Sequence, residues 1–246
     1  MEHRTHNSQI ADYIDLIFDT FLELHGDRKS GDDETAIGGL ARLDEYKVLV
    51  VGYQKDRTTE TPKAPDAKGY RKCSRLMRLA EAFNKPVILL IDVPEPVSLS
   101  ASEQQINEAI ARNLEEMSCL MTPIIAVITG ESTGGATIDM CAVDRVLMLE
   151  SASFCISSFD SAATDMADSE LCLKAKELQD LNLVNRVVKE PSAADLKSAA
   201  KILKEAILEE LHQLTQVHPE VLVQERLQRL QYQFLNFETA KLPSGD

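Results

Sequence analysis

The sequence predicts an α/β fold, and three observations carry that prediction. Short apolar runs rich in β-branched residues recur at residues 48–51 (VLVV), 87–91 (VILLI) and 124–128 (IIAVI). Longer stretches with helical spacing of apolar residues lie between the later runs. Glycine, proline or asparagine marks most junctions. The alternation strand–helix–strand over residues 87–149 implies parallel crossovers, and so a sheet with strands covered on both faces.

Taken in order, residues 10–24 place Ile10, Ile14, Ile17, Phe18, Phe21 and Leu24 on one helical face, with Ser8 as N-cap and Gly26 ending the helix in a left-handed turn. His25 is expected to cap that helix end or to pair with Asp27. Residues 36–43 and 47–53 read as a hairpin joined by Asp44-Glu45. Residues 55–68 are polar, contain prolines and lack a period, so they form a loop. Lys55 and Arg57 within it can reach a phosphate of a nucleotide-like ligand; ordinary solvated charge is the competing explanation. Residues 69–83 form a helix with Tyr70, Cys73, Leu76, Met77, Leu79, Ala80 and Phe83 on its apolar side and Arg71, Lys72, Arg75 and Arg78 on its polar side. Asn84 follows as a left-handed residue, and Pro86 forbids continuation. The strand at 87–91 is broken by Asp92-Val93-Pro94-Glu95-Pro96. Residues 101–120 make a long helix with Asn113 among its inward residues, capped by Ser102 or a neighbour.

The strand at 124–128 ends at Gly130, and Glu131, Ser132 and Thr133 make a polar turn. Gly134-Gly135-Ala136 then open a helical pattern, and residues 145–149 form the next strand. Paired glycines at a helix mouth let a ligand approach the backbone, where the first N–H groups have no intrahelical partner and the dipole is positive. Such a corner binds an oxyanion, or the glycines serve only as spacers for close helix–strand packing. Further on, 153–157 is a short strand, 158–168 a polar loop, 170–178 a short helix and 183–188 a strand edge. Residues 191–215 and 219–237 are amphipathic helices whose Leu faces are expected to bury against another subunit.

The chain has 246 residues, 44% of them hydrophobic, and a formal charge of −14. That length buries a real core, and that charge argues against a nucleic-acid surface. No apolar run is long enough to cross a membrane, and residues 1–9 contain no apolar signal core. The five cysteines, Cys73, Cys119, Cys141, Cys155 and Cys172, form no CxxC pair, so they are expected to be buried free thiols in a reducing cytosol, with neither disulfides nor zinc. GxGxxG, Walker, GxSxG and HExxH patterns are absent.

Several stretches go further. ELHGDR at 23–28, AIGGLA at 36–41, GYRK with RLMRLAEAFNKPV within 69–87, EAIARNLEEM at 108–117, PIIAVITGE at 123–131, GGA at 134–136 and DRVLMLE at 144–150 occur in order over about two thirds of the chain. They resemble the alpha subunit of bacterial acetyl-CoA carboxylase carboxyltransferase, in its short Gram-positive form, within the crotonase/ClpP superfamily. The resemblance implies a crotonase-like spiral of strand-strand-helix units with C-terminal amphipathic helices. It also implies three segments: an N-terminal helix and linker (1–35), a carboxyltransferase core (36–190) and a C-terminal helical pair (191–246). The implied reaction moves carboxylate from carboxybiotin on a carrier protein to acetyl-CoA, giving malonyl-CoA for fatty acid synthesis, with no metal in this chain. The implied oxyanion donors are the backbone N–H groups of Gly135 and Ala136, with Gly134, Thr133, Lys55 and Arg57 binding substrate. The implied partners are a carboxyltransferase beta subunit, a biotin carboxyl carrier protein and biotin carboxylase, in a homodimer or α2β2 assembly in the cytoplasm, with neither nucleic acid nor membrane. Four loops depart from the family pattern: residues 93–99 read VPEPVSL in place of a glycine-rich turn, Ser132-Thr133 replaces a glycine-serine turn, 55–68 is shorter, and Ser157-Ser158-Phe159-Asp160 replaces SPEG. Besides a working subunit, a catalytically impaired paralogue with a structural or regulatory role and a crotonase-fold enzyme of other CoA chemistry remain as alternatives.

Overall fold

The computed structural model describes residues 10–54, 64–93, 103–132, 142–156, 171–190 and 195–239. Its centre is a nine-stranded sheet in the order β1-β2-β3-β4-β5-β6-β9, with β7 branching from β5 and β8 from β7. The strands are β1 Thr20–Glu23, β2 Ala36–Leu43, β3 Tyr46–Gln54, β4 Val87–Val93, β5 Ile124–Ser132, β6 Arg145–Leu149, β7 Ser153–Ile156, β8 Leu171–Lys174 and β9 Arg186–Val188. The helices are α1 Ile10–Ile17, α2 Ala67–Ala82, α3 Glu103–Cys119, α4 Ala175–Asp180, α5 Leu196–Leu214 and α6 Pro219–Thr239. β1, β2 and β3 pair antiparallel, and β3, β4, β5, β6 and β9 run parallel.

The apolar runs behave as expected. All of β4 is buried, as are Val48 to Val51 of β3 and Ile124 to Ile128 of β5. Two glycines report which helix covers which face. A Cβ on Gly38 would lie 2.3 Å from Leu76 of α2, and one on Gly52 would lie 2.5 Å from Ile10 of α1. Gly38 is opposite Val51 in the ladder, and successive residues alternate faces, so α2 and α1 cover opposite sides. α3 packs beside α2, and α5 packs beside α1.

The predicted hairpin forms with Asp44 at φ 51°, and α2 is followed by Asn84 at φ 50°. Other expectations fail. The first helix stops at Ile17, because Phe21 and its neighbours pair with β2 as an edge strand. Apolar residues spaced for a helix also fit a short strand, and pairing with β2 decides. Gly26 does adopt a left-handed φ of 76°, but in the loop after β1 rather than at a helix end. β4 runs on through Asp92 and Val93 instead of breaking there. The stretch 170–178 is not one helix: residues 171–174 pair with β7, and the helix begins only at Ala175. α5 begins at Leu196, with Asp195 as its N-cap accepting from Lys197 N. Ser8, Ser102 and Cys141 lie outside the described residues.

The cysteine expectation is corrected. Cys155 and Cys172 form a disulfide, being directly opposed in the antiparallel β7–β8 ladder. Cys73 and Cys119 form no disulfide; Cys73 is buried, whereas Cys119 is exposed. Spacing in sequence gave no hint of the pairing, because the strand at 171–174 had been read as helix.

Candidate active site

The parallel strands β3, β4 and β5 end side by side. Gln54 lies opposite Asp92, and Val93 opposite Ser132. With neighbouring strands ~4.8 Å apart, the ends of β3 and β5 stand roughly 10 Å from one another. In open parallel sheets this carboxyl edge is where ligands bind. All the site residues named from the sequence follow these strand ends in the chain: Lys55 and Arg57 come after Gln54, and Thr133, Gly134, Gly135 and Ala136 after Ser132. Each of them lies outside the described residues.

The described residues show how β5 reaches this edge. Ile91 pairs with Ile128, but Val93 pairs with Ser132, so β5 uses more residues than β4 over the same span. That is a bulge, the device by which strands bend beside binding sites. The Asp92 carboxylate fills it, Oδ1 accepting from Glu131 N at 3.1 Å, while the Thr129 hydroxyl donates to the Ile91 carbonyl at 3.3 Å. A Cβ on Gly130 would stand 2.2 Å from Asp92 Oδ1. Gly130 therefore does not end the strand, as the sequence suggested; its missing Cβ admits the carboxylate. Beyond the bulge β5 exchanges partners. Residues Ile125 to Ile128 pair with β6, whereas Glu131 and Ser132 pair with Ser153 and Phe154 of β7. An isolated glycine in a strand pattern signals a bulge, and that signal was available at Gly130.

Below the edge, on the α2–α3 side, Asn113 is fully buried and its Nδ2 donates to Tyr53 Oη at 3.0 Å. The Tyr53 ring lies 5.2 Å from that of Tyr70. The other amide atom, Asn113 Oδ1, is buried and meets no hydrogen-bond partner among the described residues.

A charged cluster fixes the start of α2, where the chain returns from the 55–63 segment. Asp33 Oδ2 accepts from Asp66 N at 2.8 Å, and Asp66 caps α2 by accepting from Lys68 N and Gly69 N. The Asp33 carboxyl is pushed up: burial outweighs its hydrogen bonds from Thr35 and Asp66 N. Asp27 organises the preceding loop. Its Oδ1 accepts from Lys29 N, Ser30 N and Gly31 N, and its Oδ2 accepts from Ser30 Oγ and Arg71 Nε. Burial alone would raise this carboxyl, but those N–H groups and the guanidinium outweigh it and hold it far below the usual carboxylate range. Asp32 behaves likewise: burial raises it, and Lys72, Gly26 N, Asp33 N and His25 outweigh that. Lys72, expected on the solvated side of α2, is 1% exposed, with Nζ 2.9 Å from Asp32 and 3.5 Å from Glu23. His25 pairs with Asp32 at 2.8 Å and neither caps a helix nor pairs with Asp27 as expected, because Asp27 is already enclosed by its own loop. The donors and acceptors are matched within the cluster, which makes it a scaffold rather than an acid–base pair.

At the opposite end of the sheet, Arg226 of α6 is buried against Asp144. Nε and Nη2 donate to Asp144 Oδ1 and Oδ2 at 3.0 and 2.8 Å. Nη1 donates to the carbonyls of Met117 and Leu120, and Nη2 to that of Thr122. Asp144 Oδ2 also accepts from Ile124 N at 2.7 Å. Nothing in the sequence marks Arg226, because a lone arginine on an amphipathic helix carries no signal of burial. Among the described residues no group of His, Cys, Asp and Glu could hold a metal ion, and no helix is long and apolar enough to cross a membrane.

The fold as a whole superposes on known structures. The Pseudomonas malonate decarboxylase hetero-tetramer solved with malonate superposes with a TM-score of 0.66 at 16% identity, covering 96% of this chain and 92% of that one. The transcarboxylase 12S hexamer assembly with methylmalonyl-coenzyme A superposes at 0.65 with 19% identity, over 84% of this chain and 41% of that one. These superpositions show a crotonase-like fold, as the motifs implied.

The profile described as acetyl co-enzyme A carboxylase carboxyltransferase-like matches residues 2–233. The acetyl-coenzyme A carboxylase carboxyl transferase subunit alpha of Geobacter sulfurreducens is 40% identical over 236 residues, 89% of this chain and 74% of its own length. The chain belongs to the family of acetyl-CoA carboxylase carboxyltransferase alpha subunits.

Proposed function

We propose that the chain is the alpha subunit of a biotin-dependent acetyl-CoA carboxyltransferase, moving carboxylate from carboxybiotin to acetyl-CoA to give malonyl-CoA for fatty acid synthesis. Family membership supports the reaction, and the relatives' names carry no sign of the catalytically impaired alternative. The observation that carries the site is the Asp92–Gly130 bulge, which turns β5 away from β6 just before the Thr133–Ala136 stretch. The same bulge bears on the fit to an anionic ligand, since the carboxylate at that edge, Asp92, is engaged by a backbone N–H.

Carboxybiotin supplies the transferable carboxylate when its carrier protein presents it. The chain's own part is to bind and orient. The N–H groups of Gly135 and Ala136 hold the ureido oxygen on which negative charge grows, with no side-chain nucleophile needed. Gly134 and Thr133 line the approach, and Lys55 and Arg57 draw the anionic groups of the substrates. A carboxyltransferase beta subunit completes the acetyl-CoA side, and a biotin carboxyl carrier protein and biotin carboxylase deliver the carboxylated group. Residues 1–35, 36–190 and 191–246 divide as N-terminal segment, catalytic core and C-terminal helical pair, in a homodimer or α2β2 assembly in the cytoplasm.

The test is malonyl-CoA-dependent carboxylation of biocytin by the chain co-expressed with a beta subunit. Turnover well above the beta subunit alone is expected, and its absence would sink the proposal. Gly135→Val should lower turnover by at least the ~10²–10³-fold that follows loss of one oxyanion donor. Survival of activity in that variant refutes the assignment of the donors.

A further inference from the structure

The β7–β8 ribbon is held to the sheet by little. Among the described residues, β7 pairs with β5 only at Glu131↔Ser153 and Ser132↔Phe154, and β8 pairs only with β7. A two-stranded ribbon of this size is marginal alone in water. What it has in addition is the Cys155–Cys172 cross-link, set midway along the ladder. Alternation along the strands separates two functions. Phe154 is 1% exposed and packs into the core, whereas Cys155 is half-buried and Cys172 exposed. A thiol from solvent can therefore reach the sulfur of Cys172 without disturbing the packed face. Disulfides that persist in reducing compartments are usually catalytic or redox-sensing rather than structural.

We propose that Cys155 and Cys172 are a reversible thiol–disulfide modification site, opened by a dithiol reductant, that sets how firmly the ribbon holds the C-terminal end of β5. One thiolate of the reductant attacks Cys172 Sγ, the Cys155–Cys172 bond breaks, and Cys155 leaves as a thiolate and takes a proton. The second thiolate of the reductant attacks the mixed disulfide and releases Cys172. Two electrons and the two thiol protons pass to the protein, and the reductant leaves as a cyclic disulfide. Because Glu131 and Ser132 of β5 pair with this ribbon and immediately precede the proposed oxyanion segment, the oxidised form is the faster carboxyltransferase. This last step rests on the proposed function; the change in the ribbon does not.

The experiment uses the full chain with its beta subunit, equilibrated in dithiothreitol buffers of defined dithiol-to-disulfide ratio. Alkylation and peptide mass spectrometry follow Cys155 and Cys172, hydrogen exchange follows residues 153–156 and 171–174, and biocytin carboxylation follows the rate. Labelling of both cysteines only after reduction is expected. Reduction should speed ribbon exchange by about tenfold or more and slow turnover, and Cys155→Ser with Cys172→Ser should reproduce the reduced state and lose its response to dithiothreitol. Ribbon exchange responding while neither redox form turns over would uphold the site and refute the proposed function. Labelling of both cysteines before reduction overturns the site. So does an exchange rate indifferent to reduction, or an equal response in the doubly substituted chain or in Cys172→Ser alone.

Discussion

Replacing Arg226 by methionine tests a fully buried charge. The Arg226 side chain is 0% exposed and that of Asp144 3%, and the guanidinium also satisfies the carbonyls of Met117, Leu120 and Thr122. Methionine fills much of the volume but leaves a buried carboxylate and three carbonyls without those donors. Removing one partner of a buried ion pair costs about 3–5 kcal/mol. For a chain of this size each kcal/mol moves the melting temperature by about 2–4 °C, so a fall of roughly 6–20 °C is expected. The assay is calorimetry at pH 7 and fixed protein concentration. The companion variant carries Asp144→Leu as well; it removes the lone charge but strands Ile124 N, which Asp144 Oδ2 satisfies, so it should recover part of the loss and fall short by about 1–3 kcal/mol. A single variant melting within about 2 °C of the parent would refute the account of a desolvated pair. So would a double variant no more stable than the single one.

Gly130→Ala should lower stability by about 1–3 kcal/mol, because its Cβ is driven against the Asp92 carboxylate, and should lower turnover with it. Adding Asp92→Ser should restore part of both, as read by thermal melts and biocytin carboxylation. The Asp27 carboxyl is held below its unfolded value of about 3.9, so the stability it contributes is present above that pH and is lost as pH falls through its folded value. Asp27→Asn should therefore weaken the chain at pH 7 and flatten the decline in stability below about pH 4, read by urea midpoints across the acid range. Tyr53→Phe removes the one hydroxyl that Asn113 Nδ2 meets and should cost about 1–3 kcal/mol, whereas adding Asn113→Leu should recover much of it. Denaturation in which the double variant is the weaker of the two would contradict this.

What the sequence made legible was the part that burial dictates. Runs such as VILLI and IIAVI have no amphipathic choice, and they became β4 and β5. What it hid was decided by partners distant in the chain. Phe21 fits a helix until Ala41 is there to pair with, and Lys72 looks solvated until Asp32 and Glu23 fold over it. The Cys155–Cys172 bond needs a strand where sequence suggested helix. Around the site, Gly130 reads from sequence as a strand end, since only the register shift opposite Val93 reveals a bulge. The family motifs identified the chemistry because they lie in the scaffold that brackets the site, at AIGGLA, PIIAVITGE and DRVLMLE.

The lock between Asp144 and Arg226 spans 82 positions of the chain. During synthesis at 5–20 residues per second, about 4–16 s separate the appearance of the carboxylate from that of its guanidinium. Throughout that interval the nascent central strands carry an acid that must either stay wet or be protonated. The sheet therefore cannot close over its own amino end before α6 has been made. A chain halted short of α6 should therefore be held open there for the cell's quality-control machinery to recognise.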